Sequence, residues 1–250
     1  MGVALEERLS SYESLVKAVV LLSGGLDSAV TAAEARSQGF EVYALTLRYG
    51  QRHAVEIAAA ERLAQALGVA RHAVIAVDVG KIAASALTSD IPVPTGRSAH
   101  EIGRDIPVTY VPARNTIFLA LALSWAESLG AFDLFIGANA LDYSGYPDCR
   151  PEYLEAFERL ANLATKAGVE GSGRFKVHAP FLRSTKAAIV RRGLELGVPL
   201  SATISCYAPG PDGKPCGGCD ACLLRAKAFA EAGVADPSLQ RTPHSSNTGG

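Results

Sequence analysis

An apolar run, Lys17-Ala18-Val19-Val20-Leu21-Leu22, ends at Ser23-Gly24-Gly25, and a helix-patterned stretch at 28–38 follows directly. A short apolar run without polar alternation reads as a strand buried on both faces, as in parallel sheets with helices on each side. The alternation continues along the chain. Strands are expected at 41–47, 72–77, 132–136 and 176–181, and helices at 52–67, 114–129, 152–166, 184–196 and 220–231. Gly39, Gly68 and Gly197 stop three of these helices. Such repeats need crossover connections, so the expected fold class is α/β, a doubly wound, mostly parallel, Rossmann-like sheet. The helix at 114–129 is apolar nearly all round and is expected to be central and buried.

The turn Ser23-Gly24-Gly25-Leu26-Asp27-Ser28 lies between the first strand and the first helix. Glycines let backbone approach ligand oxygens, and the first N–H groups of a helix have no internal partner. With the helix dipole, that makes an anion site. Neither the Walker pattern nor the dinucleotide glycine pattern is present there. Asp27 is the odd member, because a carboxylate beside phosphates is repulsive unless a cation lies between. It reads as a magnesium-linked residue or as a plain helix N-cap or first-turn acid.

Bulk properties narrow the partners. In 250 residues the formal net charge is -1, so the basic excess that marks nucleic-acid binding is missing. The longest apolar tract, 117–126, is interrupted by Ser124 and is too short to cross a bilayer. Residues 1–17 have amphipathic helical spacing, not a secretory pattern, and Glu6 spoils a myristoylation start at Gly2. A cytoplasmic protein is expected. From 78 to 109, Pro92, Pro94, Gly96, Gly103 and Pro107 break the pattern, giving either a disordered excursion or a lid over the substrate.

Five cysteines, three of them within Cys216-Gly217-Gly218-Cys219-Asp220-Ala221-Cys222, argue against a disulfide framework. With Cys206 they supply four thiolates, and the spacing admits zinc or an iron–sulfur cluster. Cys149 stands apart as a free thiol.

The turn at 23–28 matches Ser-Gly-Gly-x-Asp-Ser in full, and the chain resembles the pyrophosphate-loop ATP pyrophosphatases, of adenine nucleotide α-hydrolase-like fold. That resemblance implies cleavage of ATP between its α- and β-phosphates, with ATP contacts from Leu22, Ser23, Gly24, Gly25, Leu26, Asp27, Ser28, Ala29, Val30, Thr31 and Ala32. Other segments are more specific: Tyr49-Gly50-Gln51-Arg52-His53, Val111-Pro112-Ala113-Arg114-Asn115, His178-Ala179-Pro180-Phe181, Thr185-Lys186 and Asp142-Tyr143-Ser144-Gly145-Tyr146-Pro147-Asp148-Cys149-Arg150. Together they resemble the 7-cyano-7-deazaguanine synthase family, nitrile-forming ligases of queuosine precursor synthesis.

The resemblance implies a carbon–nitrogen ligase that adenylates 7-carboxy-7-deazaguanine, takes ammonia, and adenylates the resulting amide to leave a nitrile. ATP with magnesium is the co-substrate. One structural zinc is implied on Cys206, Cys216, Cys219 and Cys222, apart from the chemistry. Lys186 is expected to neutralise the departing pyrophosphate together with Asp27. Arg114 is a candidate clamp for the substrate carboxylate, Asp142 or Asp148 for the guanine-like N–H edge, Tyr143 and Tyr146 for stacking, and His53 for the ammonia proton. The expected organisation is a nucleotide-binding domain at 17–200 and a zinc-binding segment at 201–236. An N-terminal extension at 1–16 and a disordered tail at 237–250 flank them. Small molecules are the expected partners, with no direct nucleic acid and no membrane; a homodimer is admitted but not required. The rival reading is a pyrophosphate-loop enzyme that adenylates a tRNA base for thiolation or lysine transfer.

Overall fold

The computed structural model describes residues 15–51, 55–98, 101–102, 105–140, 146–210 and 213–240. Five strands form one sheet: β1 (Lys17–Leu21), β2 (Glu41–Arg48), β3 (Arg71–Ala76), β4 (Asp133–Phe135) and β5 (Lys176–His178). Their order is β3-β2-β1-β4-β5 and every pairing is parallel. The helices are α1 (Leu26–Ser37), α2 (Val55–Ala66), α3 (Arg114–Leu129), α4 (Pro151–Ala164), α5 (Lys166–Glu170), α6 (Lys186–Glu195) and α7 (Asp220–Ala232). This is the doubly wound α/β fold.

β1 shows why its sequence does not alternate. Ala18 and Val20 enter a core built with α1, α2, α6 and α7, while Val19 and Leu21 enter a second core with α3 and α4. Both faces of the strand are covered, so every position from Ala18 to Leu21 is apolar. Ala29, Ala32, Ala33 and Ala35 are buried on α1, and their small side chains let that helix lie close to the sheet. From β1 the chain moves outward through β2 and β3, then returns to add β4 and β5 on the other side. The reversal between β1 and β4 opens a crevice at the carboxyl ends of the strands, where open α/β sheets bind ligands.

Three expectations change. α3 is not buried all round: Thr116, Ala120, Ser124 and Ser128 form an exposed stripe, because the helix covers one face of the sheet and presents its back to solvent. The described part of the 78–109 loop is packed. Ala86 N–H donates to the Val108 carbonyl at 2.8 Å, Thr95 bridges Cys219, and Gly96 N–H donates to the Gly218 carbonyl at 2.9 Å. Arg97 also pairs with the buried Asp220. The tail assigned from 237 begins with a helical turn, Pro237–Gln240, because Asp236 is pinned by Arg225 at 2.6 Å and caps Ser238 N–H at 2.9 Å. Arg225 also donates to Thr203 and to the Leu200 carbonyl, tying α7 to the segment that enters the cysteine cluster.

Candidate active site

A cavity of about 230 Å³ occupies the crevice, walled by the carboxyl ends of β1, β2 and β4. Its floor is the glycine turn. Ser23 N–H donates to Ser28 Oγ at 3.1 Å, and Ser28 Oγ donates to the Gly25 carbonyl at 3.0 Å, so the turn holds its own shape. Gly24 has φ +87°, and a Cβ there would lie 2.4 Å from the Glu56 carbonyl oxygen. Both facts require glycine at this point. Gly25 is the N-cap of α1 and no side chain caps the helix, whereas Thr185 caps α6 by accepting from Ala188 N–H. The first turn of α1 therefore keeps its N–H groups for an anion.

Leu22, Ser23, Gly25, Leu26, Asp27 and Ser28 line the cavity. Gly24 backs the turn against α2. Ala29, Val30 and Ala32 are packed into the core under α1. Thr31 is buried too, and its hydroxyl has no partner among the described residues.

Lys186, the first residue of α6, crosses the crevice to Asp27, with Nζ 2.5 Å from Oδ2. Asp27 is not the N-cap: it sits two residues past Gly25. Its other oxygen, Oδ1, is buried without a partner among the described residues. A buried carboxylate oxygen left bare is costly, and a phosphate-bound magnesium is the kind of ligand it fits.

Arg114 and Asn115 open α3 beside the cavity. The Arg114 guanidinium lies over Tyr49 at 5.8 Å and over Phe118 at 6.0 Å. Asp148 does not line the cavity. Its Oδ2 accepts from Asn115 N–H at 2.9 Å, serving the uncapped start of α3, and Asn115 Nδ2 donates to the Asp148 carbonyl and to Cys149 Sγ. Tyr146 does line it, with its ring 5.8 Å from Tyr110 and its hydroxyl 2.9 Å from Thr109. Burial, and then the neighbouring Asp148, push the Cys149 thiol up to about 11. That is the wrong direction for a nucleophilic thiolate. His53, Asp142 and Tyr143 lie outside the described residues.

The motifs missed one carboxylate. Glu56 lines the cavity from the first turn of α2, three positions after the His53 singled out from the sequence. The signal available was its place just past the carboxyl end of β2. Burial pushes its carboxyl from 4.5 up to about 7, against the opposing field of Arg114. A folded-state value above the unfolded one adds stability below about pH 4.5, and that contribution is lost as pH rises through 7. Glu56→Gln is therefore expected to stabilise the ligand-free protein at pH 8 by about 2–3 kcal/mol and to change little at pH 4.5. Thermal unfolding at the two pH values checks this.

The Sγ atoms of Cys206, Cys216, Cys219 and Cys222 all lie within 4.8 Å of one another. Cys216 and Cys222 are 4.0 Å apart, as are Cys219 and Cys206. A tetrahedral zinc with Zn–S of about 2.3 Å spaces its sulfurs by about 3.8 Å. A four-iron cluster would place irons and sulfides between the thiolates and spread them further. Hydrogen bonds among the thiols hold Cys219 well below its ordinary value and push Cys206 and Cys222 up, so the sulfurs share protons around one thiolate, as close-packed thiols do. The cluster does not stand apart from the cavity: Ser205, Tyr207 and Ala221, each next to a cysteine, line the cavity wall.

A doubly wound parallel sheet with an uncapped Ser-Gly-Gly-x-Asp-Ser turn at its switch point defines a pyrophosphate-loop nucleotide enzyme. Comparison with known proteins gives the family. The family described as "Queuosine biosynthesis protein QueC" matches residues 17–233, and the chain belongs to it. A 7-cyano-7-deazaguanine synthase of Syntrophotalea carbinolica is 64% identical over 222 residues, covering 89% of this chain and 95% of the relative. One from Geobacter metallireducens is 62% identical over 226 residues, covering 90% and 94%.

Proposed function

We propose that this chain is an ATP-dependent carbon–nitrogen ligase that converts 7-carboxy-7-deazaguanine and ammonia to 7-cyano-7-deazaguanine. The observation that carries the reading is the convergence of the uncapped start of α1 with Asp27 and Lys186 at the floor of a cavity large enough for a base. A carboxylate oxygen of the substrate attacks the α-phosphorus of ATP, and pyrophosphate leaves. Ammonia attacks the acyl adenylate, and AMP and a proton leave, giving the amide. The amide oxygen then attacks the α-phosphorus of a second ATP, pyrophosphate and one amide proton leave, and loss of AMP with the remaining N–H proton leaves the nitrile.

In both activations negative charge grows on the departing pyrophosphate, so positioning and cationic stabilisation supply most of the catalysis. The first-turn N–H groups of α1 and the hydroxyl of Ser23 hold the pyrophosphate, Ser28 keeps the turn in shape, and Lys186 neutralises the charge. Asp27 Oδ1 would help hold a phosphate-bound magnesium, which would supply further positive charge there. Arg114, over Tyr49 and Phe118, orients the substrate carboxylate. Cys206, Cys216, Cys219 and Cys222 would hold a zinc that fastens the segment carrying Ser205, Tyr207 and Ala221. No helix among the described residues is long and apolar enough to cross a membrane, consistent with a cytoplasmic enzyme working on small molecules.

The deciding assay incubates the protein with ATP, ammonia and 7-carboxy-7-deazaguanine and weighs the product. A nitrile, with two AMP per product, is expected. AMP and pyrophosphate formed only when tRNA is added would replace this reading with adenylation of a tRNA base.

A further inference from the structure

A guanine-like base asks for a particular partner. Its pyrimidine edge presents N1–H beside a 2-amino group, two donors side by side, and a carboxylate offers two acceptors at matching spacing. Among the described residues that line the cavity, only Asp27 and Glu56 carry carboxylates. Asp27 is committed to Lys186 through one oxygen and faces the phosphate floor. Asp148 is occupied by Asn115 and lies outside the lining.

Resting on the proposed function, we propose that Glu56 is the specificity residue that reads the base, accepting from N1–H and the 2-amino group together. Glu56 stands on the β2 side of the glycine turn, its carbonyl oxygen against Gly24, while Lys186 enters from the β5 side. The aromatic pair Tyr49 and Phe118, with ring centroids 5.4 Å apart, lines the same cavity. The carboxylate of the substrate stands on the five-membered ring, at the far end of the bicycle from the 2-amino group. A base held at Glu56 therefore turns its carboxylate back toward the cavity interior. No described residue donates to Glu56, and burial holds its carboxyl well above the ordinary range. The two N–H groups of the base restore the solvation that the ionised form lacks. Such a group costs stability without ligand and gains a partner with it, as expected of a binding residue.

Glutamine makes the test positive. Gln at 56 keeps one acceptor for N1–H but sets an NH₂ against the 2-amino group, and that NH₂ matches a 2-oxo group instead. Calorimetry on the full-length protein, saturated with a non-hydrolysable ATP analogue, would compare 7-carboxy-7-deazaguanine with its 2-oxo counterpart. The unchanged protein is expected to prefer the 2-amino base by about 30-fold, the scale of the one hydrogen bond to a charged group that the 2-oxo base lacks. Glu56→Gln is expected to lose this preference or invert it, with the Kd of the ATP analogue unchanged. A variant that keeps the original preference, or whose loss falls on the ATP analogue, overturns the proposal. Nitrile formation by the unchanged protein is scored separately. Binding as expected without nitrile would sink the proposed reaction and leave the assignment of Glu56 standing.

Discussion

Lys186→Ala should lower pyrophosphate release by about 10²–10³-fold, the range seen when a pre-set electrostatic group is removed from a site of charge development. The structure makes this more than the loss of one cation. Lys186 Nζ sits 2.5 Å from Asp27 Oδ2, and both side chains are mostly buried, at 12% and 20% exposed. Without Lys186 the Asp27 carboxylate faces the phosphates with no protein counter-charge, so ATP binding should weaken along with the chemistry. Folding should suffer by about 1–3 kcal/mol, less than for a fully enclosed pair, because water reaches both groups. Lys186→Ala with Asp27→Asn separates the two effects: thermal stability should return while turnover stays as low as in the single variant. Pyrophosphate release followed by a coupled assay, with unfolding measured alongside, checks both. Turnover of the single variant within about 3-fold of the unchanged protein would remove Lys186 from the reaction.

The sheet was legible because its signal is local. Residues 17–22 and the glycines after them carry a strand, a turn and a helix start, and the structure sets these at the switch point as expected. What sequence reading missed depends on folding distant segments together. Glu56 is an ordinary acid in a helical pattern until α2 lies against Gly24 and turns it into the cavity. Asp148, inside a specific motif, reads as a substrate group, but its contact is the backbone of Asn115, 33 positions earlier. α3 is apolar enough to read as central, yet a helix on one face of a sheet always has an outer side. The pairing of Thr95 and Gly96 with the cysteine knuckle joins two irregular segments that carry no periodicity at all.

That last pairing bears on the metal. Stripping the cluster with a chelator, or replacing Cys219 by Ser, should lower the unfolding temperature by more than about 10 °C, because structural zinc contributes directly to folding. At roughly 2–4 °C per kcal/mol for a chain of this size, even a partial loss reaches that value. Cys219 is fully buried, bridges Thr95 and lies between Gly218 and Asp220, the residues that hold Gly96 and Arg97. Releasing it frees the 93–97 stretch as well as the knuckle. Because Ser205, Tyr207 and Ala221 wall the cavity, loss of metal should also weaken binding of the ATP analogue and the base, well below the unfolding temperature. Cys149→Ser is the control. It changes a buried thiol that lines the cavity but lies outside the four-sulfur group, and metal content should not move. One zinc per chain in metal analysis, with stability and binding both restored by adding zinc after chelation, is the expected result. Iron and a brown colour would replace zinc, and binding that survives chelation intact would show that the wall formed by Ser205, Tyr207 and Ala221 stands without the metal.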